Sequence, residues 1–191
     1  SEGAMSSVIL ALEKEEEGSI INWKIQQDNS LQQGAGVEVA SPVLTDNTDN
    51  IEDIYMICSM LERCEKKVSG NCGGHIHIGS DYLKSKEAYI NLFEIWGNTE
   101  KILCKICNEK GNIPRIRLGK HATNISPKLN EVIEKGTINI DSEEQLDEFI
   151  ESIQEVQKDR HSGLNLLNIN NGKNTIEFRI PNGTINPDTW I

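Results

Sequence analysis

Two hydrophobic periods alternate along the chain, one of two residues and one near 3.6, and their order sketches a mixed fold. Residues 8–12 are apolar, 13–18 form a charged turn, and 20–25 resume a strand pattern around Trp23. Asp28-Asn29-Ser30 is a turn signal, and Val37-Glu38-Val39 is the next strand, stopped by Pro42. Between 49 and 68 the apolar positions Ile51, Ile54, Tyr55, Cys58, Leu61, Cys64 and Val68 take helical spacing, with Asp46 or Thr48 as the cap. A glycine-containing loop, 69–74, leads into a strand over 75–79. A long helix is expected over 85–108, with Tyr89, Leu92, Phe93, Trp96, Leu103 and Ile106 turned inward and a bend at Gly97. Residues 111–130 are basic, contain two prolines and read as irregular. Ser142 with Gln145 forms a capping box for a helix ending near Gln157. Two strands, 164–169 and 175–180, follow, joined at Asn171-Gly172-Lys173 as a hairpin. This order predicts an α+β domain, a mainly antiparallel sheet covered by helices on one face.

Side chains two apart on a strand share a face, and that parity separates chemistry from core. In the strand 75–79, Ile76 and Ile78 are expected in the core, with His75 and His77 together on the other face. In 175–180, Ile176, Phe178 and Ile180 are expected in the core, and Thr175, Glu177 and Arg179 opposite. Glu38 faces away from its flanking valines in the same manner. The plainest reading of any one of these strands is a half-exposed sheet with its polar side in water. The residue types argue otherwise. Two of the four histidines share one face of one strand, flanked by Gly73, Gly74 and Gly79, where glycines permit close approach. Carboxylate and imidazole together bind Mg²⁺ or Mn²⁺ adequately and zinc well. A guanidinium such as that of Arg179 offers a planar fork for phosphate or carboxylate. Glu38, His75, His77, Glu177 and Arg179 are therefore expected to meet at one metal-and-phosphate site.

Composition narrows the class. The 191 residues are 37% hydrophobic and 26% charged, enough for one domain with a real core. No apolar run reaches the roughly 18 residues of a membrane span, and no signal peptide is visible. A net charge of −11 leaves no basic face for nucleic acid, though a nucleotide can enter a local positive pocket. Five cysteines without a disulfide framework read as reduced thiols, which leads us to expect a cytoplasmic protein. Residues 1–5 read as a remnant of expression cloning, and the rest of 1–191 as a single domain. Nothing in the pattern encodes an oligomeric state.

Three segments carry a family resemblance. Gly36-Val37-Glu38-Val39-Ala40-Ser41-Pro42, Cys72-Gly73-Gly74-His75-Ile76-His77-Ile78-Gly79 and Asn174-Thr175-Ile176-Glu177-Phe178-Arg179-Ile180-Pro181-Asn182-Gly183-Thr184 resemble the amidoligases. These are ATP-dependent carboxylate–amine ligases related to glutamine synthetase and glutamate–cysteine ligase. Trp23-Lys24-Ile25, Asp28-Asn29-Ser30-Leu31, and Arg160 followed by Leu164-Asn165 fit in the family's order, so the likeness runs from about Trp23 to Gly183. The resemblance implies a glutamine-synthetase-like catalytic domain with a curved sheet. It also implies ATP and Mg²⁺ (or Mn²⁺) as cofactors, with a small-molecule or peptide carboxylate and an amine as partners. By resemblance Glu38, His75 and Glu177 bind metal, His77 contacts phosphate, and Arg179 stabilises the transferring phosphoryl group. Two departures stand out. Nothing before Trp23 matches the family's opening Gly-x-Glu-x-Glu strand, and the family continues into a further helix where this chain ends at Ile191. The expectation is a domain truncated at both ends.

Other groups read less sharply. Arg115, Arg117, Lys120 and His121 cluster in the basic stretch, either as a solvated loop or, through Arg117, as a nucleotide-phosphate clamp. Arg160 and His161 precede a strand and could meet the substrate carboxylate, a role the resemblance favours for Arg160. Cys104 and Cys107 form a CxxC inside an apolar helical stretch with no second pair, which favours packing over redox or zinc chemistry. Beside the ligase, two readings remain: a metal-dependent hydrolase or dioxygenase using His75, His77 and Glu177, or a non-catalytic nucleotide- or peptide-binding module.

Overall fold

A computed structural model describes residues 8–9, 22–28, 36–64, 67–109, 118–135 and 143–191. Among them, five strands and five helices form two compact units, one of 1–72 with 183–191 and one of 73–182. The expected α+β class holds, but as two small antiparallel sheets of two and three strands. No helix among the described residues is long and apolar enough to cross a membrane.

The first unit is built on the hairpin β1 (Lys24–Asp28) and β2 (Gly36–Ala40) and on α1 (Thr48–Arg63). Its core gathers Val8, Ile57 and Met60, with Trp23, Ile25 and Val39 packed against them. Ile25 and Val39 are direct cross-strand partners, so the hairpin's register sets one apolar face. Helix α1 starts one residue from either expected cap. Asn47 is the N-cap, accepting the Asn50 N–H at 2.8 Å. The helix stops at Arg63 rather than reaching Val68. Tyr55 donates to Asp188 Oδ1 at 2.5 Å, fastening a one-turn 3-10 helix (Pro187–Thr189). That carboxylate raises the phenol's pKa above its usual value. Two expectations fail or fall outside view here. Val8 and Ile9 are helical rather than extended, and the charged turn at 13–18 and the turn at Asn29-Ser30 lie outside the described residues.

The second unit holds the three-stranded sheet and most of the core. Strand β5 (Thr175–Phe178) is central, flanked by β3 (Ile76–Gly79) and β4 (Leu164–Asn165), both antiparallel to it. Helix α2 (Lys86–Glu109) runs unbroken through Gly97 and buries Tyr89, Phe93 and Trp96. Burial pushes the Tyr89 phenol up to about 12. The basic stretch expected to be irregular contains α3 (Leu118–His121) and the start of α4 (Ser126–Lys135). Proline at the second position of α4 needs no amide partner there, so it starts a helix instead of breaking one. The buried Glu100 side chain of α2 completes that start, accepting the Ser126 hydroxyl at 2.5 Å and the Ile125 amide at 3.3 Å. Helix α5 (Glu143–Gln157) adds Phe149, Ile150 and Ile153 to the core, while the Ser142 box lies outside the described residues. Ile106, expected inward, is exposed.

The last two strands are shorter than expected, and their connection is longer. Asn170, Gly172 and Asn174 take positive φ, so the chain turns back over 166–174 instead of in a tight hairpin. Just before β4, Gly163 accepts the Arg179 amide at 2.8 Å and donates to Thr123 at 2.8 Å. A Cβ there would stand 3.0 Å from Glu100, 3.3 Å from Ile180 and 3.4 Å from Trp96. Replacing Gly163 with alanine is therefore expected to destabilise the fold by about 1–3 kcal/mol, measured as a lower urea midpoint with an unchanged slope.

Candidate functional site

The register of the three-stranded sheet brings distant residues together. His77 pairs directly with Glu177 from one side, and Asn165 pairs with Glu177 from the other. His75 and Arg179 lie one residue beyond β3 and β5, and both reach Glu177, so both histidines, Glu177 and Arg179 meet on one face, as parity predicts.

Burial follows the expectation in part: Ile176 and Ile180 are in the core with Phe178 packed against it, and His75 and His77 are exposed. Ile76 and Ile78, expected in the core, are 42% and 50% exposed, because β3 is an edge strand. Glu177 and Arg179, expected on the outer side, are 5% and 9% exposed. Alternation fixes which residues share a face, but what covers that face decides its burial. Here the cover is polar, and a buried carboxylate needs partners.

Glu177 has them on both oxygens. Oε1 receives the Arg179 guanidinium, with His75 Nδ1 at 3.2 Å and His77 Nε2 at 3.8 Å. Oε2 accepts the Asn165 amide at 2.6 Å and the Asn168 amide at 3.4 Å. His77 Nδ1 lies 3.2 Å from the Thr175 hydroxyl, its neighbour on the same face. Burial alone would push the Glu177 carboxyl up. The Asn165 hydrogen bond, Arg179 and the two histidines outweigh it and hold the group below the usual carboxylate range.

His75, His77, Glu177 and Arg179 are together. Glu38 belongs to the first unit, where it is exposed and accepts Gln26 Nε2 at 2.9 Å across the hairpin. Arg160 is exposed in the bend after α5 and forms no ion pair with Glu177. Arg115 and Arg117 lie outside the described residues; Lys120 is exposed on α3. His161 accepts the Thr123 hydroxyl on its carbonyl and lies 3.5 Å from Asp159. Cys104 and Cys107 are half-buried against the core, and burial raises both thiols, the setting of packing residues.

Asn165, Asn168 and Gln157 were given no role from sequence. The signal was the asparagines interrupting the apolar run Leu164-Asn165-Leu166-Leu167-Asn168-Ile169. A polar amide inside a core strand has a buried partner to find.

Carboxylate and imidazole are suitable donors for Mg²⁺ or Mn²⁺. Among the described residues, however, no group of three or more His, Cys, Asp or Glu side chains is gathered as a ligand set. Arg179 stands at the oxygen such a cation needs.

The profile of a family described as "Putative amidoligase enzyme" matches residues 10–191. The chain belongs to the amidoligase family. No curated protein and no solved structure gives a match. Within this amidoligase-family chain the matched stretch contains every residue of the polar cluster, from His75 to Arg179.

The depressed Glu177 pKa fixes the sign of a pH effect. Its stabilisation is complete above the unfolded value of 4.5 and is lost as pH falls through the lower folded value. Thermal melts from about pH 7 to about pH 3 are expected to show a loss of melting temperature below about pH 4.5 that is smaller in Glu177→Gln.

Proposed function

We propose that this chain carries the phosphoryl-transfer site of an ATP- and Mg²⁺-dependent carboxylate–amine ligase. The observation behind this reading is the buried Glu177 carboxylate held among Arg179, His75 and His77, in a chain of the amidoligase family. Phosphoryl transfer needs little covalent chemistry from the protein and much charge placement, which imidazole, guanidinium and carboxylate at one point can supply.

In the proposed reaction a carboxylate oxygen attacks the γ-phosphorus of ATP, ADP leaves, and an acyl phosphate forms. The amine nitrogen then attacks the acyl carbon, inorganic phosphate leaves, and the nitrogen loses a proton as the C–N bond forms. Glu177 and His75 would hold Mg²⁺, which when bound neutralises phosphate charge; Glu38 joins them on the family resemblance alone. His77 and Arg179 would face the phosphates, Arg179 stabilising the phosphoryl group in transit. Arg160 would orient the substrate carboxylate, and Arg117 would clamp the nucleotide.

Calorimetry with ATP, with and without Mg²⁺, tests nucleotide binding directly, and release of ADP with trapping of the acyl phosphate by hydroxylamine tests the chemistry. Arg179→Gln is expected to lower ADP release by about 10²-fold or more, since it removes a charge aimed at the transferring group. Absence of ATP binding would sink the ligase reading. Stoichiometric zinc or iron in the purified protein would favour the hydrolase or dioxygenase reading.

A further inference from the structure

Helix α2 buries one side and lines the other with isoleucine. Tyr89, Phe93 and Trp96 fix its inner face in the core. On the outside, Ile95, Ile102 and Ile106 are 63%, 58% and 64% exposed. At about 100° and about 1.5 Å per residue they fall on one line, about 16 Å long. A single isoleucine in water is ordinary. Three β-branched side chains in a row on an exposed helix face are favoured neither by solvation nor by helix propensity. The polar side chains between them turn back onto the helix. Asn98 donates to the Glu94 carbonyl at 2.8 Å and Thr99 to the Ile95 carbonyl at 2.7 Å. Each already has an acceptor on its own helix, which lowers the cost of covering the row.

The charges beside the row point to its cover. Glu87 and Glu94 stand on the N-terminal half of the helix and Lys101 and Lys105 on the C-terminal half, all four exposed. Helical spacing sets all of them to the same side of the isoleucines. A second α2 laid antiparallel brings that flank against its own copy, with the acidic half facing the basic half. A parallel pair would instead bring like halves level with each other. With a two-fold axis midway between Ile95 and Ile106, Ile95 meets Ile106 of the second copy and Ile102 meets Thr99. Glu94 then comes within about 3 Å of level with Lys105, and symmetry repeats each contact. The row is complementary to itself in apolar pattern and in charge.

We propose that the outer face of α2 is a homodimer interface, in which two copies pair antiparallel through Ile95, Ile102 and Ile106, with Glu94 and Lys105 setting the direction. A helix pair of this length buries less than about 1,200 Å², the low end of specific interfaces, so the dimer forms and dissociates with concentration. The exposed charge pairs select the antiparallel register more than they add affinity. The interface makes no use of Glu177, Arg179 or the histidines and stands independently of the ligase reading.

Sedimentation velocity of the chain from about 5 µM to about 500 µM tests this. Wild type is expected to pass from monomer to dimer across that range. Ile102→Glu is expected to remain monomeric throughout, and Ile102→Ser shows the same loss should Ile102→Glu not fold. Thermal melts at the lowest concentration establish that each variant is folded. Reversing one charge, Glu94→Lys or Lys105→Glu, sets like charges together at both symmetry-related places and is expected to weaken the dimer about tenfold. The double variant E94K/K105E restores the complement and returns the dissociation constant to near that of wild type. Mixing E94K with K105E is expected to give a heterodimer tighter than either variant's own dimer, since both charge contacts are then opposite in sign. A wild type that is monomeric to the top of the range overturns the proposal, whatever else covers the row. So does a dimer that Ile102→Glu and Ile102→Ser leave intact, which places the interface elsewhere. A dimer indifferent to the charge reversals, or single variants that mixing fails to rescue, overturns the antiparallel pairing.

Discussion

A carboxylate placed out of water on the central strand of a three-stranded sheet has to be neutralised and hydrogen-bonded on every side. Glu177 imposes that requirement on its surroundings. The residues that answer it come from β3, β4 and the segments adjoining the three strands, with the end of α5: two histidines, an arginine, two asparagines and, one step away, a glutamine. Removing Arg179 would leave the Glu177 carboxylate buried without its guanidinium partner. The same demand explains why Arg179 is nearly as buried as its partner, although a guanidinium on an outward-facing strand position would ordinarily reach water.

The scaffold around the cluster is stiffened by a second buried acid. Glu100 joins α2 to the start of α4, and Gly163, packed against Glu100, Ile180 and Trp96, carries the carbonyl that receives the Arg179 amide. The backbone of the site strand is thus tied to the helical layer at one point, and its side chains to α5 through Gln157 at another. The strand is anchored by main-chain bonds, whereas the ion pair is a side-chain contact between neighbours two apart on one face.

Much of this was legible in the residue order. The parity of His75, His77, Glu177 and Arg179 placed them on one face, and the register joined the two strands as that parity required. Helices α1, α2 and α5 fall near their expected spans, because long amphipathic segments declare their period. Other features were hidden for definable reasons. Ser126-Pro127 reads as a break or as a helix start depending on whether an acceptor such as Glu100 stands above it, and that acceptor is 26 residues away. Ile76 and Ile78 look like core until β3 proves to be an edge strand. Glu38 accepts Gln26 across its own hairpin, a pairing set by the β1–β2 register.

The sequence by itself determined the mixed class, the family, the four-residue polar face and the principal helices, since each depends on local period or short ordered motifs. Tertiary structure alone decided that Glu177 and Arg179 on the polar face are buried while His75 and His77 beside them are exposed. It also decided that one glutamate oxygen accepts Asn165, itself held by Gln157, while the other meets Arg179 and faces the two histidines. Those outcomes depend on which elements lie over the sheet and on hydrogen bonds between residues far apart in the chain. A period of two carries no information about either.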